Sequence, residues 1–162
     1  MFSIASQIAS MAYDTFASPW TVDIELQDTH QRGHTTVDYD GTEKECLIFG
    51  GTEELEGVVH IDVKEGRLLD HEGITLELFG RMEMRENPDF VALDVSTFLR
   101  LTKDLAPTGQ LGAGKHELEF KFDSLNLEKE SYYGTHAFVR YFLRCTVTRG
   151  FTGTIVEEQD VV

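Results

Sequence analysis

The stretch most suggestive of chemistry is Gly109 to His116, GQLGAGKH, whose G-x-x-x-x-G-K spacing is that of a phosphate-cradling loop. Such a loop needs a buried strand before it, a helix after it, and a Ser or Thr behind the Lys to hold magnesium. This one follows Leu105-Ala106-Pro107, runs into the alternating Leu118, Phe120 and Phe122, and has His116 at the hydroxyl position. It reads as a flexible surface loop. Two other pairs could ligate a metal. His30 and His34 stand four apart, which aligns ligands only on a helix, and Gln31-Arg32-Gly33 between them argues for a turn. His60 and Asp62 share the outward face of a strand and could both reach one ion. Six histidines in an acidic chain produce such pairs by chance, so no metal and no cofactor is assigned. The 29 acidic residues offer too many carboxylate pairs to rank, and there is no Gly-x-Ser-x-Gly elbow. Cys46 and Cys145 both lie in apolar stretches and read as buried thiols acting as small hydrophobes. The chain is therefore read as non-enzymatic.

A different chemistry is written into the stretch His136 to Thr148. Val139, Tyr141, Leu143, Cys145 and Val147 share one face, and Phe138, Arg140, Phe142 and Arg144 the other. Planar guanidinium groups interleaved with aromatic rings are enriched at protein interfaces, so Phe138, Arg140 and Phe142 are candidate partner-binding residues. The other reading is that a second layer covers this face.

The elements that position these groups are strands. From Trp20 the signal is period-2 alternation: Val22, Ile24 and Leu26 face one way, Thr21, Asp23 and Glu25 the other. Gln27 to Lys44 is polar and reads as a long hairpin or loop before the apolar run Cys46 to Phe49, which Gly50-Gly51 breaks. Gly57 to Val63 alternates again. Ile74, Leu76, Leu78, Met82 and Met84 keep one parity, with Gly80 in the slot that lacks a side chain, a sign of a bulge or close backbone approach. Phe90 to Leu101 fits strand or helix, and its β-branched content favours strand. Pro107, Gly109, Gly112 and Gly114 suggest a mobile loop, and Leu118 to Phe122 a half-exposed strand. Ile155-Val156 opens a last strand that stops at Val162 as if in mid-strand, which suggests a fragment or a chain whose partner edge comes from elsewhere; a natural end there would leave an exposed edge near Ile155 to Val162 able to pair with another chain. Many strands and no convincing long helix give an all-β sandwich.

With 162 residues and 41 % apolar composition, the chain suits one domain with a hydrophobic core. Residues 20–162 form that sandwich, and residues 1–19 an amino-terminal arm, disordered or a short helix. In the arm Ile4, Ile8, Met11 and Phe16 fall near helical spacing without any Lys or Arg, which speaks against a signal or transit peptide. The formal charge of -15 repels phosphate backbones and anionic headgroups. That excludes nucleic acid as a partner and argues against direct membrane insertion; recruitment through a protein fits better.

One resemblance sharpens this reading. Val22-Asp23-Ile24-Glu25-Leu26, Glu43 to Gly51, Arg67-Leu68-Leu69-Asp70-His71-Glu72-Gly73-Ile74, Phe79-Gly80, Glu130 to Gly134 and Val139 to Arg144 resemble, in order and spacing, the vacuolar protein sorting-associated protein 26 family. These are the arrestin-like subunits of retromer. The resemblance implies an arrestin-like (immunoglobulin-like) β-sandwich, the first of the family's two in tandem, with the second sandwich absent here. It also implies a non-catalytic adaptor for endosomal cargo sorting and retrograde transport, peripheral on the cytosolic face of endosomes. The implied partners are the large solenoid subunit of retromer, bound through the missing second sandwich, sorting nexins and cargo receptor tails. The loop after Leu47 resembles a region that engages a sorting nexin, which makes Phe49, Gly50 and Gly51 candidates, although Gly50 stands where the family has an acidic residue. Gly73 and Gly134 are expected in turns needing positive φ, and the neighbouring Tyr hydroxyls to tie a corner to backbone. An arrestin-domain paralogue of another recycling complex, or another ligand-binding sandwich, is the alternative.

Overall fold

The computed structural model describes residues 18–50, 53–85, 93–123 and 125–162. Gly51, most of the amino-terminal arm and the first residues of the Phe90 to Leu101 segment lie outside the described residues. The alternation that begins at Trp20 becomes β1 (Trp20–Leu26), followed by the hairpin β2 (His34–Tyr39) and β3 (Thr42–Leu47), then β4 (Leu55–Val63) and the long β5 (Leu69–Arg85). The chain continues with β6 (Leu93–Leu111), β7 (Gly114–Phe122), the two-residue β8 (Tyr132–Tyr133), β9 (Ala137–Thr148) and β10 (Thr154–Val161). Asp40 and Gly41 turn the β2–β3 hairpin, both at positive φ (58° and 74°). Such a two-residue turn suits the right-handed twist of its strands.

Two sheets stack face to face. The smaller has the order β1-β4-β7, all antiparallel, with Ile24 opposite Val59 and Val59 opposite Leu118. The larger runs β2-β3-β10-β9-β5-β6, with β8 added beside β9. Between them lies the core: Ile24 and Leu26, Val59, Ile61 and Val63, Ile74, Leu76 and Leu78, Phe120 and Phe122, and Leu143, Cys145 and Val147. Fully burying one such aliphatic side chain contributes about 1.5–3 kcal/mol, so the period-2 pattern is what specifies the facing surfaces. Both cysteines are buried free thiols, as their apolar settings implied.

Several sequence expectations change on contact with the structure. Pro107 and Gly109 are not loop residues but part of β6, opposite Gly73 and His71. The strand lies at the end of its sheet, where a Pro without an N–H is tolerated. Only Gly112 and Ala113 separate β6 from β7, and His116 Nε2 lies 2.7 Å from the Gly112 carbonyl oxygen, so the phosphate-loop spacing is spent on a tight crossing from one sheet to the other. Met82 and Met84, expected to face inward, are exposed, whereas Glu83 between them is buried. The cause is length: β5 has 17 residues, but the strands of the small sheet have seven to nine, so its second half runs past them. Gly73 lies inside β5 and Gly134 has no positive φ. What Gly134 provides is room, because a Cβ there would meet the Tyr132 ring at 2.8 Å. The corner is tied by Tyr141, which donates to the Lys129 carbonyl (2.8 Å) and accepts from the Lys129 N–H (3.2 Å).

Gly80 behaves as expected of an interrupted strand. The β5–β6 register shifts between Gly80 and Arg81, and the ring of the extra residue, Phe98, folds over Gly80 and meets Tyr141 edge-on at 5.6 Å. At the carboxyl end, β10 pairs with β9 throughout but meets β3 only at Val161, opposite Leu47. Val162 N–H donates to Leu47 (3.1 Å) and Phe49 N–H to Val162 (2.6 Å). The end of the strand is thus closed by the chain's own backbone, which corrects the expectation of an edge open up to Val162. Thr154 to Asp160 have no second ladder among the described residues.

Candidate functional site

The outward face of β9 is not bare. Phe138 (3 % exposed), Arg140 (4 %) and Phe142 (0 %) are covered by the same chain, the second of the two readings the sequence left open. The β2–β3 hairpin curls over this face and sets the Tyr39 ring edge-on to Phe138 at 5.1 Å, with the Arg140 guanidinium 3.8 Å above Tyr39. Arg140 bridges two carboxylates, donating to Asp160 at 2.6 Å and to Glu83 at 3.1 Å. Lys44 closes on the other Asp160 oxygen (2.7 Å), and Tyr39 donates to Glu83 (2.7 Å). Two cations and two carboxylates therefore balance inside one buried cluster. Burial disfavours the Arg140 charge, but the carboxylate of Asp160, with Glu83 behind it, more than offsets this and holds the guanidinium protonated beyond its ordinary value. Burial, then the bond to Glu83, pushes Tyr39 up to about 12, and burial with Asp160 nearby pushes the Cys46 thiol up to about 11. A thiol so disfavoured as thiolate is inert.

Farther along the same face Phe79 and Phe142 stack at 5.2 Å, and Arg81, Arg100 and Arg144 lie over their rings at 4.8–5.5 Å. Arg100 pairs with Glu77 and Arg144 with Glu158, while Arg81 has no ion pair among the described residues. The Phe–Arg pattern thus builds a layer of arginines over the Phe79 and Phe142 rings, one level above the residues that sequence reasoning chose. Arg81 and Arg100 were missed because they come from β5 and β6, and only strand order shows that β5 lies beside β9 with β6 next to it.

Gly50 and Glu53, on either side of the loop after β3, are bonded to each other. Glu53 N–H donates to the Gly50 carbonyl (3.1 Å), and the Glu53 carboxylate accepts from the Gly50 N–H (2.8 Å) and from Arg32 (2.7 Å). The Arg32 guanidinium stacks 3.9 Å from the centre of the half-buried Phe49 ring. A Cβ at Gly50 would meet the Glu53 side chain at 3.3 Å, so Glu53 brings an acidic group into the space a side chain at position 50 would take. Arg32 and then the Gly50 N–H hold that carboxyl below its ordinary value.

On the outer face of the small sheet, a cavity of ≈ 880 Å³ is lined by Glu25, Val58, His60, Glu117 and Glu119 among others. His60 reaches Glu25 (2.7 Å) and Glu117 (3.7 Å), and these are the carboxylates it meets instead of Asp62. His34 contacts Glu45 and the Thr29 carbonyl. Among the described residues no group of three or more His, Cys, Asp or Glu could hold a metal, and no helix is long and apolar enough to cross a membrane.

Between the sheets' edges, Glu157 stands opposite Cys145 and points inward near Asp23. Burial, then Asp23 and Glu158, raises its carboxyl from 4.5 to about 7. Between these values the folded chain keeps a proton that the unfolded chain releases, so stability falls as pH rises through the window. Glu157→Gln should match the parent near pH 4 and exceed it by ~1–2 kcal/mol at pH 8, a figure reduced for solvent screening at a half-buried site. Urea unfolding at the two pH values reads this directly; an equal gain at both would show that the carboxyl titrates normally.

Comparison with known proteins supplies what the geometry does not. The family model described as vacuolar protein sorting-associated protein 26 matches residues 16–162. A Dictyostelium discoideum protein of that name is 34 % identical over 152 residues, covering 91 % of this chain and 42 % of its own length. The Plasmodium falciparum protein of that name is 29 % identical over 147 residues, covering 91 % and 48 %. The chain thus spans less than half the length of these curated relatives. Among solved structures, the sporulation control protein Spo0M from Bacillus subtilis superposes with a TM-score of 0.58 at 17 % identity, covering 90 % of this chain and 49 % of the other, a likeness of fold alone.

Proposed function

The chain belongs to the vacuolar protein sorting-associated protein 26 family, and from that premise we propose that it is a non-catalytic adaptor subunit of retromer-type endosomal sorting and retrograde transport. Membership of that family supports a role in vacuolar protein sorting. The observation that carries the reading is the family match over residues 16–162, on a sandwich of arrestin-like architecture. It works through protein contacts, peripheral on the cytosolic face of endosomes, because a net charge of -15 is repelled by anionic headgroups. The large solenoid subunit would dock on the family's second sandwich. Sorting nexins and cargo tails would meet surfaces of the sandwich described here.

The turn around Phe49 and Gly50 is the proposed nexin contact, and Glu53 supplies the acidic acceptor that Gly50 lacks. Its carboxylate is already oriented by Arg32 and the Gly50 N–H. Mass spectrometry of proteins that co-purify with the tagged full-length protein from its native cells tests the whole reading: the solenoid subunit should be recovered, and its consistent absence would remove retromer. Glu53→Gln should weaken capture of a sorting nexin by roughly 5- to 30-fold while leaving the solenoid subunit bound, since a charge-assisted hydrogen bond is worth ~1–2 kcal/mol. Unchanged nexin capture would free Glu53 of that role.

A further inference from the structure

The turn that joins β9 to β10 lies at the end of the sandwich opposite Val161 and Phe49. Beside it is a cavity of ≈ 650 Å³ whose wall includes Trp20, Leu68, His71, Arg149 and Phe151. Two of these groups have unmet bonding capacity. The His71 side chain is buried (5 % exposed) with its ring toward Gly109, and its Nδ1 has no hydrogen-bond partner among the described residues. The Arg149 guanidinium donates to the Thr152 carbonyl (2.9 Å) and lies 4.5 Å from the centre of the Trp20 ring, yet its Nε is likewise buried and unpartnered among the described residues. Buried polar atoms left without a bond are costly and rare, so two on one cavity wall mark a place for an oxygen acceptor. Aromatic and aliphatic walls with a few converging polar groups are the ordinary form of a ligand site at this volume.

Charge narrows the ligand. Arg149 is the one Lys or Arg among the described residues on the wall, and Asp70 and Glu72 stand beside it. Those two carboxylates repel a multiply charged phosphate or a run of acidic residues. A single carboxylate attached to an apolar group can accept from Arg149 Nε–H and His71 Nδ1–H, with Asp70 and Glu72 left to face a basic group behind it. The rim narrows the source. Leu68 is half exposed and Phe151 fully so, which suits an occupant that continues out over the surface as a polypeptide does. We infer that this cavity receives the carboxyl-terminal end of a partner polypeptide. Its terminal carboxylate bonds Arg149 and His71, its last apolar side chain packs on Trp20, and the preceding residue lies over Leu68 and Phe151.

Trp20 is the sole tryptophan of the sequence, so its fluorescence reports on this cavity. The full chain is titrated with N-acetylated Gly-Lys-Gly-Leu-Leu and with the same peptide ending in Leu-Phe or Leu-Val. At least one free acid should give a saturable change in Trp20 emission. Its carboxyl-amidated form should bind roughly 10- to 100-fold more weakly, the effect of a lost charge-assisted bond. Arg149→Gln should abolish that preference for the acid. Phe151→Ala, a change at a fully exposed side chain that leaves the core intact, should weaken the free acid by about 5- to 10-fold. Acid and amide binding equally, or no saturable response to any of the three peptides, would overturn the proposal. So would tighter binding of decanoate or of inorganic phosphate than of the peptides, because the cavity would then be a lipid or an anion site.

Discussion

Arg140→Met is expected to lower the unfolding free energy by ~3–5 kcal/mol, the usual cost of leaving buried charge without its partner. For a chain of this size each kcal/mol moves the midpoint by about 2–4 °C, so thermal unfolding should fall by on the order of 10 °C. The reason is stoichiometric. Glu83 (2 % exposed) and Asp160 (5 %) both accept from this one guanidinium, and without it Asp160 keeps only Lys44 and Glu83 only the neutral Tyr39 hydroxyl. A double-mutant cycle distinguishes this from simple loss of packing. Adding Glu83→Gln should recover part of the loss, giving a non-zero coupling. Strictly additive changes would mean that Arg140 acts by its volume.

Gly57→Ala is expected to cost ~2–4 kcal/mol, a large effect for one methyl group. A Cβ at that position would lie 2.7 Å from the Phe120 ring, and it would overlap the Glu25 carbonyl oxygen of the neighbouring strand. The obstacle is backbone in β1, which cannot move without disturbing the ladder to β4. Gly80 offers the contrast: there a Cβ would meet the Phe98 ring at 2.6 Å, but Phe98 is partly exposed and free to swing aside. Gly80→Ala should therefore cost ~1 kcal/mol or less. Chemical denaturation of the two variants side by side decides it, and equal losses would show that the ring, not the backbone, sets both.

How legible the molecule was follows from how each feature is encoded. Ile24, Val59, Leu76 and Leu143 announce themselves because burial against a single partner sheet repeats every second residue, and that repeat survives without any knowledge of the fold. Met82 and Met84 obey the same repeat yet face solvent, since the extent of the opposing sheet is a property of other strands. Arg140 was picked out for its neighbours Phe138 and Phe142, but the sequence left open whether a partner or the chain itself covered them. The answer depends on Tyr39 and Lys44, about a hundred residues away, and on the curl of the hairpin that carries them. Gly50 was legible as a missing acidic group. The carboxylate of Glu53 folding into its place was not, because that placement is decided by local hydrogen bonds that composition does not reveal.

The join between β3 and β10 is a short ladder, Leu47 with Val161 and the backbone bonds of Val162 to Leu47 and Phe49, and otherwise the β2–β3 hairpin is held to the body of the sheet by Tyr39 against Phe138, by the Asp40–Arg85 pair, and by Tyr39 and Lys44 with their carboxylate partners. A body sewn together along whole strands and a flap fastened by a short ladder, one ring and a few charges differ in the free energy needed to open them. The flap is the part that opens first, its hold loosening with salt as the remainder does not. Opening it would bare the Arg140 cluster and the foot of the Phe49 turn together, so a ligand gripping that turn would stiffen a region far larger than the one it touches.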